Sequence, residues 1–127
     1  MVKSRVRRIV IDLDDTLTIG EIGVAYASHM PRLEVVAKLR EYQEMGFEIV
    51  IHTARNMRTF SGSIGKINVQ TLPVILTWLQ EHNIPFDEVI VGKPWCGEGG
   101  FYVDDKSIRP DEFTNLSYQQ IEKLLKI

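Results

Sequence analysis

Cysteine is almost missing from this chain. Cys96 is the only one in 127 residues, so neither an intrachain disulfide nor a thiolate metal cluster can form. Long apolar runs are missing too. No stretch approaches the ~20 apolar residues of a membrane helix. Behind the basic start, the run Ile9-Val10-Ile11 stops at Asp12, short of the roughly 7–15-residue core of a signal peptide. A cytoplasmic protein with no membrane partner is expected. Positive charge is not in excess: 15 Lys and Arg against 17 Asp and Glu leave a formal charge of −2, without the basic face that nucleic acid requires. The cluster Lys3, Arg5, Arg7, Arg8 then reads as a solvated terminus. With no repeat, low-complexity tract or linker, residues 1–127 are expected to form a single domain around one core.

What is present alternates between two periodicities. Residues 6–11 are rich in β-branched side chains, as in a buried parallel strand. Over 32–45, Leu33, Val36, Leu39, Tyr42 and Met45 recur at helical spacing, with Pro31 at the entry and Gly46 at the exit. Residues 47–51 predict a second buried strand. A second helix follows over 72–82, ended by Asn83 and Pro85. Residues 88–91 and 101–103 predict two further strands. Ser117 and Gln120 have capping-box spacing ahead of a last helix carrying Tyr118, Ile121, Leu124 and Leu125. The expectation is an α/β fold with a mainly parallel sheet.

Ligands of such sheets gather beyond the carboxyl ends of the strands. Here those ends read Asp12-Leu13-Asp14-Asp15-Thr16, then His52-Thr53-Ala54-Arg55, then Gly92-Lys93-Pro94, then Asp104-Asp105-Lys106. Carboxylates from separate strands repel one another unless a cation lies between them. Hard oxygen donors with room for water suit Mg2+. A metal, the Thr53 hydroxyl and the Lys93 ammonium converging on one point would bind a phosphoryl group, whose transfer depends on positioning and charge neutralisation. A carboxylate can then attack phosphorus, and a second one two residues on can protonate the leaving oxygen. One acidic turn is usually a solvated loop; four such features at four strand ends carry the signal.

These residues resemble the haloacid-dehalogenase (HAD) superfamily. An apolar strand followed by Asp-x-Asp-x-Thr is matched by Ile9 to Thr16, the second motif by Thr53, the third by Lys93 and the fourth by Asp104-Asp105. The resemblance implies a Rossmann-like, HAD-type fold with helices on both faces of the sheet. It makes Asp12 nucleophile and metal ligand, and Asp14 the acid/base and a ligand through its main-chain carbonyl. Asp104 becomes a direct Mg2+ ligand with Asp105 in or near the shell behind it. An aspartate at position 14 separates phosphatases and phosphotransferases from the carbon–halogen-cleaving members. The stretches 53–59, 65–68, 92–97 and 101–110 are similar to small HAD phosphatases associated with capsular polysaccharide biosynthesis. That implies a phosphoric monoester hydrolase acting on a small phosphorylated metabolite, a sugar phosphate or a nucleotide-sugar intermediate.

Residues 18–31 leave room for a flap but no cap domain, and 54–68 reads as a loop. The site is therefore expected to be open, taking a bulky substrate or borrowing a lid from another copy in a homo-oligomer. Arg55, Arg58 and Lys66 in that loop are candidate contacts to a second anionic group of the substrate, against the plainer reading of a solvated loop. The family's helix between the third and fourth strands has no room in residues 92–100. That stretch reaches at most ~30 Å extended and needs roughly 20 Å to cross three strand spacings. Trp95 is expected to cover the sheet in that helix's place.

Rival readings are weaker. A receiver-like phosphoacceptor switch has its acidic pair first in the chain, not last. A metal-bridged nucleotide-sugar site leaves Lys93 and the late carboxylates without a role. Gly62 to Lys66 lacks the spacing of a phosphate loop. Cys96 reads as a small hydrophobe, His52 as structural, and His29 and His82 as peripheral, although His29, in the flap, could brush a substrate.

Overall fold

The computed structural model describes residues 6–127; Lys3 and Arg5 of the basic cluster lie outside them. The chain divides into two compact units, one reaching Trp95 and the other running Cys96–Ile127. In the first, β1 (Arg8–Ile11), β2 (Thr18–Ile19), β3 (Met30–Pro31), α1 (Leu33–Glu44), β4 (Glu48–Thr53), α2 (Ile64–Gln70), α3 (Leu72–Glu81) and β5 (Glu88–Val91) follow in order. In the second are α4 (Pro110–Asn115) and α5 (Tyr118–Leu125). It is a small α/β fold.

A three-stranded parallel sheet runs in the order β1-β4-β5. Ile11 pairs with Ile51, and Thr53 with Val91. Ile49, Val50 and Ile51 of the central strand are all buried, because a parallel sheet covered by crossover helices has two interior faces. α1 packs on β4, while α2 packs on α3 and β5. The helical period holds for α1, which buries Val35, Val36, Leu39 and Tyr42. Leu33, expected on that face, is 72% exposed at the first turn. In α3 the buried set is Ile75, Trp78 and Leu79.

The flap over 18–31 is a small antiparallel ribbon, with Thr18 opposite Pro31 and a 3-10 turn at Tyr26–Ser28. It is fastened to α3, since Trp78 Nε1 donates to the His29 carbonyl at 2.8 Å. In the second unit α5 has the expected capping box: Gln120 N–H donates to Ser117 Oγ at 3.2 Å and Ser117 N–H to Gln120 Oε1 at 2.8 Å.

The structure departs from the sequence pattern in four places. Residues 101–103 form no strand, and Phe101 and Val103 are 81% and 87% exposed; β-propensity makes no strand without a pairing partner. Residues 54–68 are not one loop, because Ser63 Oγ accepts from Lys66 N–H at 3.4 Å and caps α2. The helix α4, with Pro110 in its first turn, was not expected at all. The first strand starts two residues late, at Arg8. Arg7 there lies 4.6 Å over the Phe47 ring and donates to the Met45 carbonyl, and Arg8 pairs with Glu48 at 2.8 Å. That half of the basic cluster is thus engaged with its own fold.

Candidate active site

The first unit assembles its site where the three parallel strands end. After β1 the chain turns at once: the Leu13 carbonyl accepts from the N–H groups of Thr16, Leu17 and Thr18 at 2.9–3.3 Å. Leu13 and Leu17 are fully buried beneath that turn, which leaves Asp12 and Asp14 only partly exposed above it. Thr16 Oγ1 donates to Asp12 Oδ2 at 3.1 Å. Asp15 takes a positive φ of 61° and accepts the Gly20 N–H on Oδ1 at 3.2 Å, closing the loop toward the flap.

β4 delivers Thr53, which is 1% exposed. Its Oγ1 accepts the Arg55 main-chain N–H at 3.1 Å, so that contact leaves the hydroxyl proton available to a ligand. β5 delivers Lys93, whose N–H extends the ladder to the Thr53 carbonyl at 3.1 Å. Gly92, at φ +86°, turns the chain there. Lys93 Nζ then lies 3.5 Å from Asp12 Oδ1. A carboxylate and an ammonium therefore meet beyond the outer two strands, and a buried hydroxyl stands at the end of the strand between them. His52, next to Thr53, is held below the usual imidazole range, first by burial and then by Lys93, with Asp12 opposing.

Arg55 departs from its expected role. It is 5% exposed, and its fork closes on Asp14: Nε to Oδ2 at 3.1 Å and Nη2 to Oδ1 at 2.8 Å. The guanidinium carbon lies 4.2 Å from the centroid of the Tyr26 ring. Arg55 is thus committed inside the protein rather than offered to a second anionic group in solution. Arg58 is exposed and lies 5.5 Å from the ring centroid of Trp95, which is itself 44% exposed rather than sealing the sheet. Lys66 is exposed in the first turn of α2.

In the second unit, Asp104 and Asp105 are exposed in a turn. Lys106 N–H donates to Asp104 Oδ1 at 2.9 Å. That bond, and then the Asp105 side chain, hold the Asp104 carboxyl below its usual range. All four expected metal ligands offer hard oxygen, the chemistry Mg2+ takes, although no group of three or more His, Cys, Asp or Glu gathers as a metal cluster among the described residues.

Sequence reasoning passed over two participants. Tyr26, in the flap, gives no periodicity or motif signal tying it to Arg55. Thr16 stands inside the first motif, but the motif alone does not show that its hydroxyl bonds Asp12. His29, which reads from sequence as peripheral, is 7% exposed and bonds Val24 O through Nε2 at 3.0 Å; it holds the flap together.

A crystal structure of an MCSG target from Vibrio cholerae matches with a TM-score of 0.90 at 50% identity, over 94% of this chain and 97% of that one. A structure of the Pnkp1/Rnl/Hen1 complex matches at a TM-score of 0.53 and 16% identity, over 89% of this chain and 36% of that one, a likeness of fold alone. No family model and no curated protein matches the chain. No helix among the described residues is long and apolar enough to cross a membrane.

Proposed function

For this chain, which belongs to one family with the Vibrio cholerae protein over nearly its whole length, we propose a magnesium-dependent phosphohydrolase of HAD type that works through an aspartyl-phosphate on Asp12. The observation that carries the reading is Lys93 Nζ at 3.5 Å from Asp12 Oδ1, beside the buried Thr53 on the neighbouring strand end. A nucleophilic carboxylate must approach an anionic phosphoryl group, and it needs an adjacent cation and hydrogen-bond donor to do so.

In the first half-reaction the Asp12 carboxylate attacks phosphorus, the ester P–O bond breaks, and Asp14, entering the step as the carboxylic acid, gives its proton to the departing oxygen. Water then attacks the same phosphorus, Asp14 takes a proton from it, and the acyl-phosphate bond to Asp12 breaks to release inorganic phosphate. Lys93 and Thr53 hold the phosphoryl oxygens throughout. Magnesium, when bound, would neutralise charge on those oxygens; in the first unit Asp12 and the Asp14 carbonyl are the groups that would hold it. An acceptor other than water would make the same chemistry a phosphotransferase. The substrate class we propose is a sugar phosphate or nucleotide-linked sugar of a cytoplasmic surface-polysaccharide pathway, admitted past a flap in place of a cap domain.

The test is phosphate release from a panel of phosphorylated sugars and nucleotides, with magnesium and with chelator, for wild type and Asp12→Asn. Turnover is expected from wild type with magnesium only. Asp12→Asn should retain its circular-dichroism spectrum and lose at least about a hundredfold in kcat. Asp12→Asn activity within about tenfold of wild type would reject the covalent route.

A further inference from the structure

The acid proposed for the leaving group sits on a loop. Asp14 follows a strand end and precedes a residue at positive φ, and its side chain is 29% exposed. A carboxylate so placed has two rotatable bonds and water on one side. A proton donor has to point at one oxygen of the substrate, so something must fix it.

Arg55 does this. Its side chain is 2% exposed, and both carboxylate oxygens of Asp14 are engaged by separate guanidinium nitrogens, at 2.8 and 3.1 Å. Two-point contact sets the plane of the carboxylate as well as its position, which a lysine cannot do. Arg55 is itself immobilised from two directions. Its main-chain N–H is bonded to Thr53 Oγ1 at 3.1 Å, and the Tyr26 ring covers its guanidinium at 4.2 Å. Tyr26 belongs to the flap, between β2 and β3, whose far end is fastened by the Trp78–His29 bond.

We propose that Arg55 is a positioning residue for Asp14, and that Tyr26 makes the alignment of that acid depend on the seating of the flap. Arg55 is then not a subsite for a second anionic group of the substrate; serving as one would take its fork off Asp14. Flap, arginine and acid form one chain of contacts, so the flap acts on the step that needs a proton and leaves phosphoryl binding to Lys93 and Thr53. The inference rests on the phosphohydrolase reading, since it needs Asp14 to act as the acid.

The experiment compares phenyl phosphate with p-nitrophenyl phosphate, whose leaving group needs little protonation, in the presence of magnesium. Arg55→Ala should lower kcat on phenyl phosphate about tenfold more than on p-nitrophenyl phosphate, with KM nearly unchanged for both. Arg55→Lys should behave like alanine because it lacks the fork. Tyr26→Ala should shift the ratio the same way, and Tyr26→Phe, which keeps the ring face, should restore it. These last two keep the inference testable if Arg55→Ala does not fold. Equal loss on the two esters in an active enzyme overturns the inference alone. So does a rise in KM without a fall in kcat, or a Tyr26→Phe variant as impaired as Tyr26→Ala. A folded wild type that hydrolyses neither ester overturns the phosphohydrolase reading first, and this inference with it.

Discussion

Trp78 and His29 are joined by a hydrogen bond of 2.8 Å, from the indole Nε1 to the main-chain carbonyl. The tryptophan is 2% exposed within α3, and the histidine 7% exposed where the flap returns to the core. The bond closes the flap against a helix that follows it by 49 positions. Packing alone would let a short ribbon slide; a buried carbonyl that must find a donor does not.

Trp78→Phe keeps an aromatic ring and removes that donor. The orphaned carbonyl should cost about 1–3 kcal/mol, with a further loss from the smaller ring. Urea unfolding followed by circular dichroism measures it. A loss below about 0.5 kcal/mol would mean that water replaces the indole at no net cost and that the flap is held elsewhere.

Gly92 supports Lys93 through its backbone. At φ +86° it adopts a conformation that side chains rarely take, and a Cβ added there would run into Ile64 Cδ1 of α2. Gly92→Ala should therefore lose about 1–2 kcal/mol from the left-handed backbone, plus a further amount from the collision. Ile64 is 43% exposed, so its end can be trimmed cheaply. The double variant Gly92→Ala with Ile64→Ala should recover the collision part and keep the backbone part. Full recovery would show that the conformation itself carries no strain.

Local signals made much of this legible in the sequence. α1, α3 and α5 follow from apolar periodicity and caps, and β4 and β5 from β-branched runs. The positions of Asp12, Thr53 and Lys93 at one edge follow from strand order alone. Residues 101–103 read as a strand because three consecutive apolar residues show propensity but not a partner. α2 and α4 carried usable signals, a serine cap at Ser63 and Pro110-Asp111-Glu112 in a first turn. Gly65 and Asn68 are poor helix formers in the first, and the second is only six residues long. Arg55 reads from sequence as a contact to a second anionic group or as part of a solvated loop, because its partner Asp14 is 41 positions earlier in the chain. An ion pair of that kind exists only once the two strands lie side by side.

The last expectation concerns pH. His52 lies in β4 beside Thr53, half-buried, and its imidazole is held below the usual range, chiefly by burial, then by the Lys93 ammonium, with the Asp12 carboxylate opposing. The unfolded chain frees this ring to titrate near its ordinary value of about 6.5. As pH falls through that value, the unfolded state takes up a proton that the folded state resists. The unfolded state then binds more protons, so stability declines as pH falls. The contribution is fully present above about pH 6.5 and is lost on the way down to the depressed folded value. His52→Gln removes the titration and keeps a polar side chain of similar length. Unfolding free energies of both proteins at a series of pH values between about 7.5 and 5 isolate the term, because the other histidines and the carboxylates are common to both. Wild type should lose stability relative to His52→Gln as the pH is lowered. Parallel curves would mean that His52 titrates alike folded and unfolded. A wild type that gains on the variant at low pH would mean that Asp12 outweighs burial and Lys93 together, so that the folded state welcomes the proton.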